Sequence, residues 1–268
     1  MVMTKRKQEK PGNQELSRGS RYRDRAARAQ AQRPGHKFWI YGRHTVQAAL
    51  ESPTRRHHRM LATRNAGDWL TGSQTPPEIV SAQEIARHLP ADAVHQGIAL
   101  LVSPRANPDL GDVCRKAGEA VIVILDQVTD PQNIGSVLRS CAAFGAAALV
   151  VQDRHSPPET GVLAKAASGA LERVPIIRVV NIARALEQLG EWGYTRLGLD
   201  DDADTPLMNG RQSGPTVLIL GAEGKGLRRL TKRGCDQLIR IPTTGAQASL
   251  NVSNAAAIAL YALTAAQP

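Results

Sequence analysis

The sequence predicts an α/β protein: a parallel sheet covered by helices on both faces, preceded by a smaller α/β unit. Three observations carry this. Short, unbroken apolar runs such as "AVIVIL" at 120–125 and "TVLILG" at 216–221 read as strands buried on both sides. Each is followed by a polar or glycine-rich turn and then by a segment with helical apolar spacing. This alternation repeats through the C-terminal half of the chain.

In chain order, residues 1–37 form a basic tail with few bulky apolar residues, expected to be disordered by itself because it has too little to bury. From Phe38 the composition becomes globular, and Val46 and Leu50 have the spacing of a short helix within a first unit, 38–104. The segment "SPRANPDLGD", with two prolines and a glycine, marks a linker, placed at 105–117, before a second domain, 118–268. There the expected order is strand 120–125, helix 134–144, strand 147–152, helix 161–171, strand 174–180 and helix 182–189. Strand 216–221, helix 227–233, strand 237–242 and helix 251–265 follow.

Composition narrows the possible functions. The chain of 268 residues carries a net charge of +10, but residues 1–37 hold 11 Lys+Arg against 3 Asp+Glu, so most of the excess is in the tail. A flexible cationic arm suits a phosphate backbone, since each contact releases counterions; the plainer reading is a solubilising tail. No apolar run approaches the roughly 20 residues that a membrane helix needs. The N-terminus lacks a signal-peptide pattern, and the three cysteines form no CxxC pair. A cytoplasmic protein with no membrane, metal or disulfide framework is expected.

Parallel sheets bind ligands beyond the C-terminal ends of their strands, and three loops there concentrate chemistry. "NIGSVLR" has an NxGxxxR spacing: Gly135 and Arg139, four residues apart, share a helix face, so Arg139 is expected to lie across the glycine toward the loop mouth. Pro131 stiffens the approach, and Asp130 or Asn133 offers the helix cap. "LILGAEGKGL" surrounds Glu223 with Gly221, Gly224 and Gly226; it fits neither a Walker loop nor GxGxxG, and suits a backbone approached closely by a flat ligand. "IPTTGAQASLNVSNAAAIALYAL" loops through Gly245 into an alanine-rich helix. Ser249, Asn251, Ser253 and Asn254 exceed what one cap requires, and the small face Ala255–Ala259 suits close packing against a second subunit.

Together "NIGSVLR", "GAEGKGL" and "SLNVSNAA" closely resemble, in order, the three motifs of the TrmH/SpoU family of RNA ribose 2'-O-methyltransferases in the SPOUT superfamily, over most of residues 121–263. The first unit, through "IYGRHTVQAAL" and "VHQGIALLV", resembles an L30e/L7Ae-like substrate-binding domain. The resemblance implies an α/β-knot, with the C-terminal segment threaded as a trefoil knot, and a homodimer. It also implies S-adenosylmethionine held by backbone at Gly221, Ile241 and Leu250, and catalytic or RNA-contacting roles for Asn133, Arg139, Glu223, Ser249 and Asn251. The implied substrate is RNA, a guanosine of 23S ribosomal RNA on the strength of the added domain. A tRNA ribose methyltransferase and a non-catalytic ribosome-assembly factor are the competing readings. Thr243 departs from the family, which commonly has methionine there.

The family is usually credited with an arginine base, here Arg139. Deprotonating a guanidinium at pH 7 costs roughly 8 kcal/mol. Arg139 is therefore expected to bind the target phosphate and to stabilise charge developing on the oxygen, with Glu223 orienting the site. Among other candidates, "RRHHR" at 55–59 reads as an RNA contact or a solvated face, and Cys141 as core. Trp39, Tyr41 and Tyr22 are the stacking platforms nearest the basic end. No GxSxG elbow supports a hydrolase.

Overall fold

The computed structural model describes residues 36–67, 70, 75–209, 214–244 and 249–264; the basic segment to residue 35, including Tyr22, and Gly245 lie outside them. The first unit runs β1 (Phe38–Tyr41), α1 (Arg43–Glu51), β2 (His57–Ala62), α2 (Arg64–Gly67), β3 (Glu78–Ile79), α3 (Ala82–Ala86) and β4 (Ile98–Val102). Its strands form a mixed sheet in the order β1-β4-β2-β3.

The second unit begins with α4 (Leu110–Ala117), β5 (Ile122–Asp126), α5 (Pro131–Ala143), β6 (Ala148–Gln152) and α6 (Gly161–Ala167). A 3-10 turn (Ala170–Glu172), β7 (Ile176–Val179), α7 (Ile182–Glu191), β8 (Thr195–Leu199) and β9 (Thr205–Pro206) come next. After a second 3-10 turn (Leu207–Asn209) come β10 (Thr216–Gly221), α8 (Arg229–Arg233), β11 (Gln237–Arg240) and α9 (Val252–Thr264). The seven strands pair in parallel in the order β7-β6-β5-β10-β8-β11-β9.

Alternation along each strand sends successive side chains to opposite faces. Val123, Leu125, Leu149, Val151, Leu218 and Leu220 join one core, shared with α5, α6, α9 and the first unit's β1, β2 and β4. Ile122, Ile124, Val150, Ile177, Val217 and Ile219 join the other, against α4 and α7. Both faces are covered, which is why these strands read as unbroken apolar runs.

Three expectations need correction. The presumed linker 105–117 contains α4, capped by the Asp109 side chain, with Leu110 buried against the second face of the sheet. The helix expected over 161–171 stops at Ala167, where Ser168 turns left-handed (φ 49°), and resumes as the 3-10 turn. Strand β8 was not anticipated, although it lies between β10 and β11, because Arg196 and Gly198 interrupt its apolar run. Arg196 is neutralised by Asp236 (Nε to Oδ2 2.9 Å). Gly198 leaves room that a Cβ would take from the Cys235 sulfur, 2.7 Å away.

The glycine in the first turns of α5 answers to packing. A Cβ on Gly135 would lie 2.5 Å from the Leu163 carbonyl oxygen and 2.6 Å from Ala166 Cβ, so the residue lets α6 approach the α5 backbone. It does not clear a path for Arg139, as the spacing had suggested. Gly135→Ala is accordingly expected to destabilise the fold by about 1–3 kcal/mol through overpacking, despite alanine's better helix propensity. Chemical denaturation checks this: unchanged or increased stability would show that the two helices part at no cost.

Candidate active site

Beyond the C-terminal ends of β8, β10 and β11 opens a cleft of about 460 Å³, within the usual range for small-molecule sites. Gly221, Ile241 and Leu250 all line it, together with Glu223, Ser249 and Asn251.

The loop after β10 is a tight turn closed by a Gly226 N–H to Ala222 carbonyl hydrogen bond of 2.8 Å. A Cβ on Gly221 would fall 2.1 Å from the Gly226 carbonyl carbon, so only glycine there lets the loop fold back. Gly224 and Gly226 take left-handed backbone (φ 73° and 60°) at little cost to glycine. The turn presents the Glu223 carboxylate at the cleft wall.

Glu223 Oε1 accepts from Asn133 Nδ2 (3.1 Å), Asn251 Nδ2 (2.5 Å) and the Val252 N–H (3.4 Å). Asn251 Nδ2 also lies 3.2 Å from Asn133 Oδ1, so one residue from each of the three loops meets at one point. The cap of α5 is Asp130, whose carboxylate accepts from the Gln132 and Asn133 N–H groups; the Asn133 side chain is thereby left to the cluster. Asn251 has two tasks: its Oδ1 accepts from the Ser253 N–H at 2.9 Å, capping α9, while its amide donates to Glu223.

Arg139 stands apart. It is exposed, does not line the cleft, and makes no hydrogen bond or ion pair among the described residues. Six residues separate it from Asn133, about 120° around α5 and roughly 9 Å along it. Gln132, Ser136, Arg139 and Ala143 instead form the outer stripe of the helix.

Two carboxylates at strand ends escaped the sequence reading. Asp126, fully buried at the end of β5, accepts from the Arg228 N–H (3.1 Å), Arg228 Nε (2.7 Å) and Thr231 Oγ1 (2.7 Å), anchoring the far end of the glycine loop. Asp200, at the end of β8, is ion-paired with Lys232, and both line the cleft. For Asp126 the available signal was an acid closing an otherwise apolar strand run; Asp200 had no such signal, because Arg196 and Gly198 break the run before it.

Other candidates are displaced. Within "RRHHR", Arg55 is buried between Glu159 and Glu172 and Arg59 pairs with Glu78, which leaves Arg56 as the exposed arginine of the run without an ion pair among the described residues. Tyr41 is buried in a core, and Trp39 stacks 5.0 Å from the His88 ring. Ala255, Ala256 and Ala259 are buried against the chain's own core; the outer face of α9 carries Ile258 and Tyr261, 42% and 62% exposed. Burial pushes the Cys141 thiol up to about 12, which keeps it inert. Among the described residues no cluster of three or more His, Cys, Asp or Glu is placed to hold a metal ion.

The chain is similar to known proteins over most of its length. Residues 120–261 match the SpoU rRNA Methylase family, and residues 39–108 match the family described as RNA 2'-O ribose methyltransferase substrate binding. The 23S rRNA (guanosine-2'-O-)-methyltransferase RlmB of Vibrio vulnificus is 38% identical over 233 residues, 83% of this chain and 94% of the relative. The RlmB of Pseudomonas syringae pv. tomato is 37% identical over 240 residues, 83% and 93% of the two chains. Among solved structures, the SpoU methyltransferase AviRb of Streptomyces viridochromogenes, in complex with AdoMet, superposes with a TM-score of 0.74 at 23% identity, covering 90% of this chain and 96% of that one.

Proposed function

The chain belongs to the SpoU rRNA Methylase family, and on that premise we infer that it transfers the methyl group of S-adenosylmethionine to a ribose 2'-hydroxyl of RNA, at a guanosine of 23S rRNA. The observation that carries the reading is the joining of Asn133, Glu223 and Asn251 at the wall of a cleft lined by the loops after β8, β10 and β11. Residues 38–104 are assigned to holding RNA and 118–268 to the reaction, with the C-terminal segment threaded as a trefoil knot.

The cleft fits the cofactor in size and in character, since closely approached backbone at Gly221, Ile241 and Leu250 suits a flat, extended ligand. When bound, S-adenosylmethionine supplies an activated methyl group together with its leaving group. What remains for the protein is positioning and charge. Glu223 fixes the Asn133 and Asn251 amides, and Ser249 at the rim positions the ribose. Arg139 holds the target phosphate and stabilises the developing oxyanion.

Because Arg139 lies off its own cleft, the reading includes a homodimer in which each Arg139 serves the cleft of a second copy. The exposed Ile258 and Tyr261, beside the outer stripe of α5, support that contact. The test is methyl transfer from labelled S-adenosylmethionine to undermodified 23S rRNA and to bulk tRNA in parallel. Incorporation into 23S rRNA at a guanosine ribose is expected; labelling of tRNA alone would overturn the substrate, and labelling of neither would overturn the enzyme.

A further inference from the structure

We propose that Lys225, Arg229 and Arg233 form a phosphate track that leads the RNA backbone along α8 to the cleft, an inference that rests on the methyltransferase reading of that cleft. The segment 224–233, "GKGLRRLTKR", carries five cations and no acid. Two are spoken for: Arg228 bonds the buried Asp126, and Lys232 pairs with Asp200. Lys225, Arg229 and Arg233 are exposed and form no ion pair among the described residues.

The three are continuous with the site. Lys225 lines the cleft beside Glu223, whereas Arg229 and Arg233 line an adjoining open depression of about 460 Å³. Lys232 belongs to both walls and joins them. Arg229 and Arg233 are four residues apart on α8, where like charges repel. The exposed carboxylates across the cleft, Asp201 and Asp202, form no ion pair with any of the three. The lining of the adjoining depression holds Arg229, Lys232 and Arg233 and no acid, and cationic charge left unneutralised beside a site favours a polyanionic partner. In "RRHHR" of the first unit Arg55 and Arg59 are satisfied by carboxylates, which leaves Arg56 as the one arginine of that run exposed and without an ion pair among the described residues.

The test compares the full-length parent with an Arg229→Ala/Arg233→Ala variant, measuring 23S rRNA fragment binding across salt concentrations and S-adenosylmethionine binding by calorimetry. Loss of two phosphate contacts is expected to weaken RNA binding roughly 10-fold near 0.1 M salt and to lower the slope of log K against log[salt] by about 1.4. Cofactor affinity should stay at the parental value, and Arg229→Lys/Arg233→Lys should keep the parental slope. An unchanged slope in the alanine variant, with or without weaker binding, overturns the track. Failure of the parent itself to bind and methylate RNA would overturn the reading of the cleft instead.

Discussion

Arg139→Ala is expected to bind S-adenosylmethionine as the parent does and to lose methyl transfer by about 10²–10³-fold, the usual cost of removing a charge-stabilising donor. The unchanged cofactor affinity follows from the role proposed for Arg139, which holds the target phosphate of the RNA and not the cofactor. A mixing experiment then shows whose cleft it serves. On the homodimer reading, the Arg139→Ala and Glu223→Ala variants, each expected to be inactive, are mixed and allowed to exchange subunits. If Arg139 acts across the interface, every heterodimer has one site with both residues intact, and about a quarter of parental activity returns at random exchange. If it acts within its own chain, every site lacks one residue and nothing returns. A single-turnover rate near the parental value for Arg139→Lys would separately remove the need for a bidentate guanidinium.

Arg55→Ala is expected to cost about 3–5 kcal/mol of stability, the range for breaking a buried ion pair from one side. The Arg55 side chain is 0% exposed. Nη1 donates to Glu159 Oε2 and to the Ser103 carbonyl, both at 2.8 Å, and Nε donates to Glu172 Oε1 at 2.9 Å. Burial works against its charge, but Glu159 and Glu172 more than offset this and raise its pKa above the ordinary guanidinium value. A raised pKa gives stability that is fully present below the unfolded value and is lost only as pH rises through the folded one, so the contribution is constant across the neutral range. Denaturant unfolding reads the loss. Arg55→Met combined with Glu159→Gln and Glu172→Gln should recover most of it, because no charge is then left buried alone. If the triple variant is as unstable as Arg55→Ala, the loss comes from the missing hydrogen bonds, such as that to the Ser103 carbonyl, and not from carboxylates left buried without a partner.

What was legible in the sequence follows from locality. An apolar run ending in a polar loop places a strand end and its chemistry within a few residues, so Glu223, Asn251 and Asn133 could be singled out from the loops and from the family resemblance they carry. Their meeting point was not local: Asn133 and Glu223 touch across 90 positions of chain. For the same reason "RRHHR" looked like a free patch, since the carboxylates that neutralise Arg55 lie more than 100 residues away. Gly135 showed a weakened helix but not the α6 backbone that requires it. Strand β8 failed the apolar pattern because Arg196 answers to Asp236 and Gly198 to the close approach of Cys235, partners that appear only once β11 is in place.

The strand order also has a consequence for the growing chain. β10 lies between β5 and β8 yet is made after both. Until Thr216–Gly221 leaves the ribosome, β5 has an open edge and β8 has no neighbour on that side. The exposed edge is "IVILD", apolar until its last residue, and such an edge readily pairs with other chains. Synthesis therefore passes through a long interval in which the nascent chain has α4 to α7 but cannot close its sheet. Protection from aggregation in that interval must come from outside the fold.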